Sequence, residues 1–388
     1  MAYDYHEAMK LANQLSYGIL GVLEAAWAPM VPYVKSGMNL DDAQFGQLLF
    51  SMGVGSLCAL PVVGPLVNRF GPRAIAIISG VLMALALAVI SFSDSKLMVS
   101  LMLGCIGASM IGVDVASSVN AIIVEKILKK PLMSGFHAGY SLGTIIGALT
   151  MSVMLSVGFN LSLSAVFLAL VMGVMMVIGC QPLFNEVKTF DEHNSQREVK
   201  TSGFRIPPVI IVLGLMCFIM YGSEGALLSW TTVFATQNRG ISPEHAGYFY
   251  AFFAVSMTAI RFAGNRIVEK AGRRRTVVIG GLLVTLGFML TAIIPHYAGI
   301  MIGLTLIGLG AGNIVPQVVS YAGLVKGIKI SYAISLVNAL GYCGTMCGPV
   351  IIGYVSKISS LEISFIVLAL SVLAVAAASI KILKPSDK

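Results

Sequence analysis

Residues 46–73 read GQLLFSMGVGSLCALPVVGPLVNRFGPR, and residues 247–274 read GYFYAFFAVSMTAIRFAGNRIVEKAGRR. Each is an apolar run closed by a glycine and basic residues. Overlaid, they pair Gly46 with Gly247, Gly71 with Gly272 and Arg73 with Arg274, and Gly80 with Gly281 follows at the same offset of 201. SGFHAGYSLGTIIG (134–147) lies over SLVNALGYCGTMCG (335–348), again at 201, while Glu24 lies over Glu224 at 200. Several windows at nearly one offset mark an internal duplication.

Composition fixes what is duplicated. The 388 residues are 57% hydrophobic and 11% charged, with mean hydropathy +0.89. A soluble domain carries about 25% charged residues, so this apolar content belongs in a bilayer. Twelve apolar runs stand out: 10–33, 43–67, 72–93, 97–123, 132–157, 161–181, 207–235, 246–265, 275–294, 298–325, 330–355 and 361–383. Each can cross a core of about 30 Å as a helix, and each is longer than the roughly 10 alternating residues of a barrel strand. The first run is too long for a cleavable leader, contains Glu24 and lacks a small-residue cleavage site. The expected fold class is therefore an all-α membrane protein of twelve transmembrane helices in two pseudo-symmetric six-helix bundles. The expected boundaries are 1–181 for the first bundle, 182–206 for a polar cytoplasmic linker and 207–388 for the second.

Orientation follows from Lys and Arg. The face holding both termini and the even loops collects 20 of them; the other face holds Lys35, Lys96, Arg239 and Lys357, and Arg261 lies inside a helix. This places both termini in the cytoplasm, with the bacterial inner membrane as the expected location. It also accounts for the net charge of +8 without nucleic acid as a partner. The six cysteines all fall in apolar helices and read as packing residues. The five histidines are scattered, so neither a metal site nor another cofactor is expected. No phosphate-binding loop or nucleophile elbow points to an enzyme.

The loop after the second helix reads Gly64-Pro65-Leu66-Val67-Asn68-Arg69-Phe70-Gly71-Pro72-Arg73, and its echo is Asn265-Arg266-Ile267-Val268-Glu269-Lys270-Ala271-Gly272-Arg273-Arg274. These residues resemble the G-x-L-x-D-R-x-G-R-R signature of the major facilitator superfamily, and the resemblance covers nearly the whole chain. It implies parallel repeats with a solute site at their interface near the midplane. It also implies a gating role for Asn68, Arg69, Arg73, Arg261, Glu269 and Arg273. Asn68 departs from the family acid of the latch, and Glu269 keeps it. Within the superfamily the layout is similar to fucose permease and related sugar–proton symporters, which carry functional acids in helices one and four. Glu24 and Asp114 occupy those places.

Three acids lie deep in helices: Glu24, Asp114 and Glu224. A carboxylate at mid-bilayer costs at least ~2.5 kcal/mol on insertion scales, so it faces a cavity or a partner. An acid that binds and releases a proton as the cavity changes sides is what proton-coupled transport needs, and His137 is a fourth candidate. Helical spacing groups polar neighbours with the acids. Tyr17, Gly21, Glu24 and Trp27 share a stripe; Asp114 has Ser117 and Ser118; Glu224 has Tyr221 and Thr231. Asn313 and Gln317 follow on helix ten, Tyr140 with His137 on helix five, and Asn338 with Tyr342 on helix eleven. The candidate solute contacts are thus Tyr17, Trp27, Tyr140, Tyr221, Trp230, Asn313, Gln317, Asn338 and Tyr342. Interhelical hydrogen bonding is the rival reading for the polar set, and an interfacial belt is the rival for Trp230. Arg261 is read as a partner near Glu269 or a lipid phosphate, with an anion anchor as the rival.

The leading expectation is a carrier of a small sugar-like solute, with protons as coupling ion and a monomer sufficient. A proton-driven drug or metabolite exporter is the alternative. Exporters of the superfamily carry G-x-x-x-G-P-x-x-G-G in helix five. Gly139, Gly143 and Gly147 keep that spacing, but Thr144 and Ala148 replace its Pro and last Gly.

Overall fold

A glycine with positive φ marks the same point in both halves. Gly71 has φ 83° and ψ 156°, and Gly272 has φ 78° and ψ 156°. Side chains disfavour that region, so each half turns there on a residue the duplication retains. A Cβ on Gly71 would also lie 1.7 Å from the Asn185 carbonyl oxygen.

The structure is a computed structural model and describes residues 2–128, 132–185, 206–325, 328 and 330–383. The expected linker at 182–206 lies outside them except for 182–185 and 206, as do Lys129 and Lys130. The first half is built from α1 (Ala2–Ala25), α2 (Trp27–Gly37), α3 (Asp42–Ile90), α4 (Lys96–Leu128), α5 (Met133–Ser156) and α6 (Leu161–Gly179). The second is built from α7 (Pro208–Arg239), α8 (Pro243–Ala271), α9 (Arg273–Ile293), α10 (Tyr297–Ala311), α11 (Ile314–Ala322), α12 (Ile330–Ile358) and α13 (Leu361–Ile382). No strand occurs among the described residues.

Ten stretches are long and apolar enough to cross a membrane. One of them, the 49-residue α3, is two crossings joined at Gly71. The first apolar run is not among the ten, because it is divided between α1 and α2. With α3 taken as two crossings and α1–α2 as one, the expected twelve are present.

Two runs expected as single helices are broken, and proline explains both. Pro29 offers no N–H to the Ala25 carbonyl, so the hydrogen-bond ladder is interrupted at Ala26, whose backbone stays right-handed helical at φ −62° and ψ −22°. Pro316 offers none to Gly312, and the break between α10 and α11 falls at Gly312–Asn313. A proline ring also collides with the carbonyl four residues back.

By internal contacts the chain divides into two units. One comprises Met1–Met38 and Ser51–Ser202, and the other Asn39–Phe50 and Gly203–Lys388. In the first, α1 and α5 meet at backbone distance. A Cβ on Gly143 would stand 2.1 Å from the Gly18 oxygen, and one on Gly147 2.1 Å from that of Val22. In the second, α7 and α12 repeat the arrangement: a Cβ on Gly344 would stand 2.0 Å from the Phe218 oxygen, and one on Gly348 2.3 Å from that of Gly222. The partners shift by 200 on the leading helix and by 201 on the glycine helix, matching the two sequence offsets.

Candidate transport site

In the first unit, Glu24 sits two residues before the Ala26 break and is half-buried. Its Oε2 accepts a hydrogen bond of 2.7 Å from the Tyr140 hydroxyl of α5. The backbone sets this pair: Gly21, one turn away on α1, lies directly against the Tyr140 carbonyl. Just past the break, Trp27 is fully buried, and its indole N–H has no acceptor among the described residues.

Below Glu24, α1 and α4 are joined by a ladder of polar pairs. Tyr17 Oη meets Ser118 Oγ at 2.7 Å, Ser16 Oγ meets Ser117 Oγ at 2.7 Å, and Asn120 Nδ2 donates to Asn13 Oδ1 at 3.1 Å. Asn120 Oδ1 also accepts from the Phe184 amide. Ser117 and Ser118, grouped with Asp114 from the sequence, thus serve helix–helix contact. Tyr17 is buried, with its ring 5.1 Å from that of His137. His137 is exposed and close enough to Asp114 for their charges to interact, while Asp114 is half-buried on α4.

In the second unit, Glu224 is near the middle of α7. Its Oε2 lies 3.9 Å from Nη2 of Arg261 on α8, and its Oε1 is buried without a partner among the described residues. Arg261 therefore reaches across to another helix; the expected neighbour Glu269, on its own helix, is exposed and forms no ion pair with it among the described residues. One turn before Glu224, the Tyr221 ring stacks on Tyr342 of α12, with centroids 5.9 Å apart and planes within 8°. Asn338 is half-buried on the same helix.

Other expected contacts are occupied with packing. Trp230 is fully buried, donates to the Pro349 carbonyl at 3.0 Å and meets Phe45 edge to face. Asn313, at the α10–α11 break, donates to the Ile260 carbonyl at 3.2 Å. Gln317 Oε1 accepts from Arg273 Nε at 3.4 Å, and Arg273 also donates to Ser320 at 3.0 Å.

Arg69 and Arg73 make contacts within the first half, as Arg273 does within the second. Arg73 Nε donates to the Leu183 carbonyl at 2.8 Å, and its amide donates to that of Phe184 at 3.0 Å. The Arg69 guanidinium lies over the Phe70 ring, and Asn68 is exposed. Among the described residues, no three His, Cys, Asp or Glu side chains gather as a metal ion would require.

The sequence model described as the Major Facilitator Superfamily matches residues 15–325 and, in a second match, 263–388. The chain belongs to this superfamily. An uncharacterized MFS-type transporter of Yersinia pestis is 34% identical over 373 residues, 96% of this chain and 95% of that one. The membrane protein MosC of Rhizobium meliloti is 26% identical, covering 89% of this chain and 83% of its own. A nitrite extrusion protein of Bacillus subtilis is 25% identical, covering 78% and 75%. Among solved structures, the nucleoside transporter NupG superposes with TM-score 0.77 at 12% identity, covering 97% of this chain and 99% of that one. A bacterial homologue of the lysosomal transporter Spinster reaches TM-score 0.74 at 14% identity, covering 97% of both chains. These structural likenesses establish the major facilitator fold. The chain is a multi-pass membrane transporter, not an enzyme.

Proposed function

We propose that this superfamily member is a proton-coupled carrier of a small polar, sugar-like solute, working by alternating access of its two six-helix halves. The observation that carries the proposal is the 2.7 Å bond from Tyr140 to the Glu24 carboxylate, next to a broken helix. A mid-membrane acid with a hydroxyl donor beside it can exchange a proton and still hold a polar solute. The Trp27 N–H, three residues on and without an acceptor among the described residues, is a further donor for solute or water. Asp114 with His137, and Glu224 with Arg261, are the other protonation candidates. The layout of acids in helices one and four is that of fucose permease-type symporters. The charge asymmetry supports cytoplasmic termini in a bacterial inner membrane, and one chain is a sufficient transport unit.

The test is solute-driven alkalinisation in proteoliposomes, with a melting-temperature screen of sugars, nucleosides and cationic drugs. A sugar or nucleoside should stabilise the protein and draw protons with it. Glu24→Gln should abolish the proton movement. Tyr140→Phe should weaken solute binding about tenfold, the loss of one hydrogen bond to a charged group at about 1.5 kcal/mol. Full proton coupling in Glu24→Gln would refute the assignment.

An exporter is the second reading, favoured by the relative named for nitrite extrusion, which covers three quarters of both chains. Stabilisation by hydrophobic cations alone, or movement of solute only against an inward proton gradient, would select it.

A further inference from the structure

Glu224 of α7 and Arg261 of α8 form an ion pair between two helices of the second unit, and three features separate it from a structural ion pair. First, it is loose. At 3.9 Å the contact is too long for a hydrogen bond. Arg239 in the same unit shows the structural alternative. Its side chain is 5% exposed, and its guanidinium donates to the Thr291, Ala292 and Ile294 carbonyls at 2.9–3.2 Å. Second, the pair is open: the Arg261 side chain is 38% exposed and that of Glu224 is 21% exposed. Exposed charge within a membrane span is costly against lipid, and water at the site would lower that cost. Third, the Glu224 carboxylate is incompletely satisfied where it stands, because Oε1 is buried without a partner among the described residues.

Arg261 is nonetheless held in place. Asn313 bonds the carbonyl of Ile260, its chain neighbour, and a Cβ on Gly312 would lie 3.3 Å from Arg261 Cγ. Gly312 and Asn313 both lie at the α10–α11 break, so the break packs beside Arg261. Beside it, Tyr342 stacks on Tyr221 and is 46% exposed, a surface for the body of a bound solute.

We propose that Arg261 binds the solute, that the solute is a small organic acid held through a carboxylate, and that Glu224 is the counter-ion it displaces. The inference rests on the carrier reading above and narrows its solute to a polar molecule with one acidic group. The exchange balances. Before binding, Arg261 is positive and Glu224 negative. After binding, Arg261 faces the solute carboxylate, and Glu224 has taken one proton from the water bathing the site. The sum is zero in both states, so one proton travels with one monoanion. A phosphate dianion would leave a negative charge uncompensated at mid-membrane, so a carboxylate fits better. The groups bearing on Glu224 are Arg261 from α8, Tyr221 and Cys217 from α7 and, through the ring stack, Tyr342 from α12. Arg261 is the one charged group acting on it among the described residues.

The test uses full-length protein in detergent, with gluconate and glucuronate as carboxylate probes, glucose as the neutral probe and inorganic phosphate as the dianion, at pH 6 and pH 8. At least one sugar acid should raise the melting temperature, with affinity falling at least about fivefold from pH 6 to pH 8 as the required proton becomes scarcer. Arg261→Ala should lose the shift, and Arg261→Lys should restore part of it. Glu224→Gln should keep the shift and lose its pH dependence, which keeps the test decisive if Arg261→Ala does not fold. Failure of both sugar acids, preference for phosphate, an unchanged shift in Arg261→Ala, or pH dependence surviving in Glu224→Gln would each overturn the proposal. A glucose shift unaffected by Arg261→Ala, with proton uptake lost in Glu24→Gln, would overturn it and leave the carrier reading intact. Absence of proton movement with any transported solute would remove the carrier reading itself.

Discussion

An indole inside a membrane protein brings a large apolar surface and one donor that needs an acceptor. Trp230 has its acceptor in the Pro349 carbonyl and lies wholly inside the second unit, whereas the N–H of Trp27 has none among the described residues. The two tryptophans therefore separate into a packing residue and a candidate contact. Trp230→Phe should lower stability by about 1 kcal/mol for the lost bond, with a further packing loss, and leave solute affinity unchanged. A melting curve and a binding isotherm on the same variant check this, and a large rise in Kd without loss of stability would return Trp230 to the site. The sequence shows both residues near a mid-helix Glu, six and three positions away, and that spacing cannot tell them apart. What separates them is the α12 carbonyl that meets one and not the other. Arg261 gives the same lesson. Helical spacing keeps Glu269 on its face, but a guanidinium reaches several ångströms sideways, and the neighbouring helix supplies Glu224 at the same depth.

Helices here are fitted to one another through glycine, and the sequence records that fit twice. The α1–α5 and α7–α12 contacts use glycines at matched positions, so the duplication and its two offsets were legible before any coordinates. A methyl at Gly147 would collide with a backbone oxygen of α1 at 2.1 Å, and backbone cannot yield as a flexible side chain can. Gly147→Ala should cost about 1–3 kcal/mol by overpacking, and Gly348→Ala a similar amount in the other unit. Gly64→Ala is the control: nothing lies within 4 Å of its Cβ, so better helix propensity should give a gain of about 0.5–1 kcal/mol. Thermal melts of the three variants test this, and equal effects at Gly64 and Gly147 would show that helix propensity, not contact, governs these sites. The breaks after Ala25 and before Ile314 were less legible, although Pro29 and Pro316 announce them. A proline within a membrane span is often absorbed without a break, and which outcome holds depends on the neighbouring helices.

At the scale of the whole molecule, one helix is divided between the two units. The start of α3, within Asn39–Phe50, belongs with the second unit by its contacts, and the chain from Ser51 belongs with the first. A capping box opens it, with the Gln44 amide donating to Asp41 Oδ1 at 2.8 Å and the Asp41 amide donating back to Gln44 Oε1 at 3.3 Å. The same stretch meets α12 through Lys357 with Asp41 at 3.2 Å, Ser356 donating to Asp42, and Gln47 donating to Tyr354 at 2.5 Å. The Gln44 amide, with Lys357 adding to it, holds the Asp41 carboxyl below its ordinary value of 3.8. A lowered carboxylate pKa stabilises above the ordinary value and loses that effect only as pH falls through the lowered one. Asp41→Asn should therefore leave the shape of the transport profile between pH 6 and pH 8 unchanged. Under the alternating-access proposal, with the halves taken as α1–α6 and α7–α13, residues 39–50 move with the rest of α3 and part from α12 once in each cycle. Cysteines introduced together by Asp42→Cys and Ser356→Cys and then oxidised should stop transport, and reductant should restore it. Solute should still bind the oxidised protein, because the cross-link captures one state of the cycle without touching Glu24 or Arg261. Transport at the full rate with the disulfide shown to be formed would mean that this contact never opens, and the rocking of the two halves would have to be abandoned for a movement that leaves α3 and α12 together.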